Sequence, residues 1–238
     1  MTQVSFLRHG AFFGPEDAEN KFFCIIGAGA TGSWAALTAA KMGWHNFIIW
    51  DLDLVESHNL PNQAYDLEHI GSKKVDALEK VLKRFNPNVS VKTFDYFFDA
   101  SNPDHVSELS DYVFIAVDSL DTRKEIYEAI KLHPFVDLVF ETRMGFTHAE
   151  LNIVHSSDIM KIDEIISMLK TDEEVTEAAC NERIITSLVT IISSALVHNL
   201  CYHASSQRNK TEFTNFGKTL YTLNPILNTY QMKGILGN

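Results

Sequence analysis

The sequence predicts an α/β fold: a Rossmann-like, doubly wound, mostly parallel sheet with a C-terminal antiparallel extension and helices. Three observations predict it. Short apolar runs alternate with helical stretches along residues 21–142. A glycine-rich turn, Gly27-Ala28-Gly29-Ala30-Thr31-Gly32, joins the first apolar run to the first helix. Beyond Gly145 the alternation gives way to one more strand, two helices and a hairpin-like tail.

Taken in order, residues 1–20 read as an irregular arm, and residues 21–238 as a single domain without repeat or linker. KFFCIIG (21–27) is apolar on both faces and ends at glycine, as a buried strand does. Residues 31–43 form a helix closed by Gly43, and FIIWDLD (47–53) is a second strand with acidic residues at its C-terminal end. In 72–85, Val75, Leu78, Val81, Leu82 and Phe85 share one helical face, and Asn86-Pro87-Asn88 ends the helix. Strands follow at 89–97, 111–118 and 137–142, with a helix at 121–132 between the last two. This alternation implies right-handed crossovers. HAELNIVH (148–155) adds an antiparallel strand, helices are expected at 158–170 and 181–203, and 211–223 is expected to be a hairpin turning at Asn215 to Gly217.

Composition excludes several classes. The 238 residues are 45% apolar and 21% charged, ordinary for a globular chain, and carry a formal charge of −11. That charge argues against sequence-independent nucleic-acid binding, which needs a positive field. Ile184 to Leu200 is too rich in Ser, Thr, His and Asn for a membrane span, and the N-terminus lacks the features of a signal peptide. Cys24, Cys180 and Cys201 form no Cys-x-x-Cys pair, which suits a reducing, cytoplasmic setting and speaks against a cysteine zinc knuckle. The ten histidines show no metal-binding spacing; His198 and His203 are five apart on a helix.

The glycine turn carries the first chemical signal. Gly27 permits the turn, Gly29 lets phosphates approach the helix N-terminus, and Gly32 lets helix and strand pack closely. Asp51, at the end of the next strand, is placed to accept hydrogen bonds from ribose hydroxyls. This arrangement indicates a nucleotide without choosing between ATP and NAD.

The segment 51–78, DLDLVESHNLPNQAYDLEHIGSKKVDAL, holds a second polar cluster for which hydride transfer has no use. Here the chain resembles the ThiF/MoeB/HesA family, relatives of the ubiquitin-activating enzymes. The match runs through Asp51, Asp53, Val55, Asn59, Leu60, Asn62, Gln63, Gly71 and Lys74, then Asn86-Pro87 and DYVFIAVDSLDTR (111–123). The resemblance implies an ATP- and Mg²⁺-dependent adenylyltransferase, acting on a carboxylate as a homodimer. The expected substrate is a ubiquitin-like protein, a peptide C-terminus or a modified nucleoside. It implies that Asp51 binds ribose, that Asn59 and Lys74 contact phosphates, that Thr31, Asp53 and Gln63 line the nucleotide, and that Asp118 holds Mg²⁺. Arg123 is expected to support the Asp118 loop.

One position departs from the family pattern. Asn62 stands where an arginine is usual, and asparagine supplies neither its charge nor its fork of donors. Arg8 from a partner's arm, Arg123 or Arg143 could substitute, and Phe12-Phe13-Gly14 could anchor the arm on that partner. Cys180, ahead of the long apolar helix, is the candidate for a second step of acyl transfer to a thiol. The alternatives are an NAD-dependent oxidoreductase and a catalytically weakened nucleotide-binding partner.

Overall fold

Strand β1 (Phe23–Ile26) lies in the interior of the sheet because helices cover both of its faces. The computed structural model describes residues 4–145, 148–170, 186–214, 216–224 and 229–235. Its strands are β1, β2 (Asn46–Trp50), β3 (Ser90–Phe94), β4 (Asp111–Ile115), β5 (Val136–Met144), β6 (His148–His155), β7 (Gly217–Asn224) and β8 (Thr229–Ile235). They form one sheet in the order β3-β2-β1-β4-β5-β6-β7-β8. Pairing is parallel from β3 through β5 and antiparallel from β5 to β8. The doubly wound half and its antiparallel extension are thus both present.

Alternation along the strands sorts the core. Phe23, Ile25, Phe47, Ile49, Tyr112 and Phe114 face α1 (Ala30–Met42), α2 (Lys74–Phe85) and α6 (Thr186–Asn209). Cys24, Ile26, Ile48, Trp50, Val113 and Ile115 face α4 (Leu120–Ile130) and α5 (Ile159–Met168). In α1, buried Ala35, Ala36, Ala39 and Ala40 present small side chains to neighbouring elements, and Gly43 at φ 113° ends it by donating to Ala39 O and Ala40 O. The stripe expected in α2 is the one it buries, through Val75, Leu78 and Leu82. No described helix is long and apolar enough to cross a membrane.

Three expectations are corrected. The third strand stops at Phe94, so 95–99 is a loop, and a one-turn helix, α3 (Pro103–Ser107), was not foreseen. The tail hairpin pairs β7 with β8, so Gly217 opens a strand and the turn expected at 215–217 is not the one between the two strands. The aromatic residues of the arm serve the chain's own core: Phe13 is fully buried and stacks on Trp44, and Phe12 stacks on His198.

Candidate nucleotide-binding site

The C-terminal ends of β1, β2, β4 and β5 open into a cleft of about 920 Å³, where open α/β sheets place their ligands. Gly27, Gly29, Thr31, Asp51, Asp53, Asn62, Gln63, Lys74, Asp118, Arg123 and Arg143 all line it. Residues up to 116 positions apart in sequence therefore line one cleft.

The turn is built by close approach. Gly27 has φ +104°, and a Cβ there would lie 2.7 Å from Ala116 O on the neighbouring strand's exit. A Cβ on Gly32 would lie 1.9 Å from Gly27 O, so the two glycines interlock. A Cβ on Gly29 would meet nothing within 4 Å, which leaves room above the first turn of α1, whose N–H groups have no partner inside the helix. Gly32→Ala is therefore expected to cost about 1–3 kcal/mol of stability in a urea melt. Gly29→Ala should spare the melt and weaken ATP in a binding titration.

Lys74 reaches the cleft because residues 53–55 pair back on 71–74. Val55 N donates to Ser72 O, Gly71 N to Val55 O and Lys74 N to Asp53 O. This puts Lys74 Nζ 2.7 Å from Asp53 Oδ2 and 4.0 Å from Asp51 Oδ1. Asp51 Oδ2 accepts from Ala28 N and its Oδ1 from Asp53 N, at 2.7 and 2.8 Å. Burial raises the Asp51 carboxyl above the ordinary carboxylate value, against the pull of Lys74 and those two N–H groups. Tyr65, which sequence reasoning missed, ties the parts together: its buried hydroxyl donates to Ala28 O at 2.7 Å and approaches Lys74 O at 3.4 Å.

The opposite wall rests on a buried cluster that was also missed. Glu141 of β5 is fully buried and accepts from Arg123 Nη1, from Arg143 Nε at 2.8 Å and from Asn152 Nδ2 at 2.7 Å. Burial alone would raise this carboxyl. The charges of Arg123 and Arg143, with hydrogen bonds from Arg143 and Asn152, outweigh burial and hold it below the ordinary value. Arg123 also donates to Val117 O at 2.8 Å and Thr142 O at 2.7 Å, so it braces the strand exit that leads to Asp118. That is the supporting role expected of it. Asp118 is exposed, with Oδ1 accepting from Ser119 N at 2.9 Å.

Some expected site residues lie elsewhere. Asn59 does not line the cleft; it is buried, and its Oδ1 accepts from Glu56 N at 2.8 Å, closing a turn. Arg8 is exposed in a segment packed on the far end of α1, where His9 Nε2 meets Met42 O at 3.0 Å. A 13-residue helix, about 20 Å long, separates it from its own cleft. Cys180 lies outside the described residues. Cys24 and Cys201 are buried, and burial pushes the Cys24 thiol up to about 12.

The cleft fits a nucleotide. Gly29 leaves space at the helix start, and Asn62 Oδ1 and Gln63 Oε1 are buried without a hydrogen-bond partner among the described residues. Three cationic side chains (Lys74, Arg123, Arg143) face three acidic ones (Asp51, Asp53, Asp118), so the lining is formally neutral. A triphosphate then needs added positive charge, and exposed Asp118 is the type of ligand that would hold a divalent ion there.

Comparison with known proteins gives the family and agrees with the fold. The profile of the ThiF family matches residues 8–234. The adenylyltransferase and sulfurtransferase UBA4 of Vanderwaltozyma polyspora is 34% identical over 106 residues, which are 44% of this chain and 24% of UBA4. The chain thus spans about a quarter of that relative's length. The solved structure of PaaA superposes with a TM-score of 0.72 at 21% identity, over 93% of this chain and 66% of PaaA. MccB of Escherichia coli, solved with ATP, gives 0.69 at 12% identity, over 93% and 65%.

Proposed function

The chain belongs to the ThiF family, and from that premise we propose that it binds ATP in the cleft and adenylylates a carboxylate. The observation that carries the proposal is that Lys74 and Asp118 both line the cleft that the glycine turn also lines. A dinucleotide oxidoreductase would leave both without a task. That MccB, which has the same fold, was solved with ATP supports the same choice.

In this reading the phosphates lie over Gly29 and the first turn of α1, and Asp51 takes the ribose. The base rests among Leu52, Tyr96 and Phe97, three half-exposed apolar side chains at the β2–β3 end of the cleft. A substrate carboxylate is ionised at neutral pH, so the chain has little proton transfer to perform. The carboxylate oxygen attacks the α-phosphorus, the bond to the β,γ-phosphates breaks, and acyl-adenylate and pyrophosphate result. The protein's contribution is position and charge. Lys74 exchanges its pairing with Asp53 for a phosphate. Arg143, at the rim and half-exposed, supplies the cation that Asn62 does not. A Mg²⁺ held on Asp118 would stabilise charge on the departing pyrophosphate.

We assign residues 21–238 to one adenylylation domain, with 1–20 as its arm. The proposed acceptor is the C-terminus of a ubiquitin-like protein or peptide, and the proposed assembly is a homodimer. A role for Arg8 requires the second copy.

Calorimetric titration with ATP and with NAD, each with and without Mg²⁺, tests the reading. ATP should bind more tightly with Mg²⁺ than without, and NAD should not bind. Asp118→Asn should abolish the Mg²⁺ dependence and weaken ATP by about tenfold or more. Mg²⁺-independent ATP binding, or equal affinity for NAD, would refute it. Asn62 favours one second reading, a nucleotide-binding partner without catalysis; it gains if ATP binds but no candidate carboxylate supports pyrophosphate exchange.

A further inference from the structure

At the end of the sheet opposite the cleft, three elements converge on side chains that sequence spacing keeps apart. Asp137 stands at the N-terminal end of β5, His155 closes β6, and His203 lies toward the end of α6. His155 Nδ1 is 3.1 Å from Asp137 Oδ1 and His203 Nε2 is 3.8 Å from Asp137 Oδ2. One ligating atom from each residue lies within 4.8 Å of the other two. We propose that Asp137, His155 and His203 bind a divalent ion of the zinc class and so clip α6 to the sheet.

The donor set is the first support. Two imidazoles and one carboxylate suit a borderline ion such as Zn²⁺ and leave a fourth position for water. Ligand atoms on a tetrahedral zinc stand about 3.4 Å apart, given bonds of about 2.0–2.1 Å. The group is therefore close to the required spacing, and the half-exposed Asp137 and His155 side chains can rotate to close it.

The surroundings are the second support. Tyr112 Oη lies 2.9 Å from His203 Nδ1, which fixes the ring and turns Nε2 toward Asp137. Such an outer partner is what ligating histidines use for orientation. Phe213 packs edge-on to His203 at 5.0 Å, and Phe216 packs on His155 at 4.6 Å, forming an apolar wall. Lys21 opposes a cation, because its Nζ is 3.3 Å from Tyr112 Oη. A second trio, Asp66, Glu68 and His69, is already occupied by a cationic side chain. There His69 Nδ1 already accepts from Asp66 N, and Arg84 Nη1 pairs with both carboxylates.

The test is titration of the full chain, stripped with chelator, by ZnCl₂ in a calorimeter. One site per chain is expected. His155→Gln and Asp137→Asn, both at half-exposed positions that preserve folding, should weaken it at least tenfold, and Tyr112→Phe about tenfold through ring orientation. His203→Gln should do the same, with circular dichroism checking its fold. Cobalt(II) should give tetrahedral visible bands that His155→Gln removes. The proposal is overturned if zinc does not bind, or if His155→Gln and Asp137→Asn bind it as the natural chain does. The second result would mark adventitious binding by other surface histidines.

Discussion

Lys74→Met is expected to weaken Mg²⁺–ATP binding about 10- to 100-fold, the loss of one hydrogen bond to a charged group worth about 1.5–3 kcal/mol. Pyrophosphate formation with a competent carboxylate should slow by a further factor, to about 10²–10³ in total, as when one donor to a developing anion is removed. Lys74 is buried beside Asp51 and Asp53, so the free protein is affected too. Methionine leaves Asp51, already raised by burial, without its cation. A carboxyl whose folded pKa exceeds its unfolded value contributes stability below the unfolded value and loses it as pH rises through the folded one. The variant's urea midpoint should therefore lie below that of the natural protein at pH 7 and approach it as the pH falls toward the carboxylate range. An unchanged ATP affinity in Lys74→Met would remove Lys74 from the site, whatever the melt shows.

Glu141→Gln should be the most destabilising single change in the cleft, at about 3–5 kcal/mol, because it strands two guanidinium groups around a neutral amide. For a domain whose whole stability is about 5–15 kcal/mol, that is a large share. Its pH dependence has the opposite sign to that of Asp51. The folded Glu141 carboxyl lies below its ordinary value, so its contribution is present above the unfolded pKa of about 4.3 and is lost as pH falls through the folded value. The gap between natural protein and variant in urea melts should be constant from pH 7 to about 5 and narrow below about 4. A gap that instead narrowed toward neutral pH would mean that Glu141 is not the anion the two arginines share. Because Arg123 also holds Val117 O, the variant should loosen the approach to Asp118 and lower ATP affinity as well.

The parallel half of the fold was legible because its signals are local. The run FCII, the turn at 27–32 and the stripe on α2 are each set by neighbours within a few residues. Lys74 and Asp118 were singled out through the family pattern around them, and both line the cleft. Glu141 was not: a glutamate inside an apolar strand shows nothing of the two arginines and the asparagine that neutralise it until β5, β6 and α4 are packed together. Tyr65 escaped for a similar reason. Its hydroxyl serves two backbone carbonyls 37 and 9 positions away, while its neighbours Asn62 and Gln63 drew notice for their polarity. Asn59 was carried over from the same family pattern, which gives a position along the chain but not what the side chain meets; its Oδ1 closes a turn, and it does not line the cleft. The histidines at 155 and 203 illustrate the same limit, since strand pairing and a long helix create their neighbourhood.

Helix α6 has 24 residues and spans about 36 Å. A third of the way along, Ser193 Oγ donates to Thr31 O at 3.1 Å, behind the glycine turn, and toward its end the helix carries His203. One rod thus touches both the glycine turn and the proposed ion-binding trio. Thermodynamic reciprocity then makes a strict demand: whatever factor Zn²⁺ applies to the dissociation constant of ATP, ATP must apply to that of Zn²⁺. Two titrations performed in opposite order are enough to measure that shared factor.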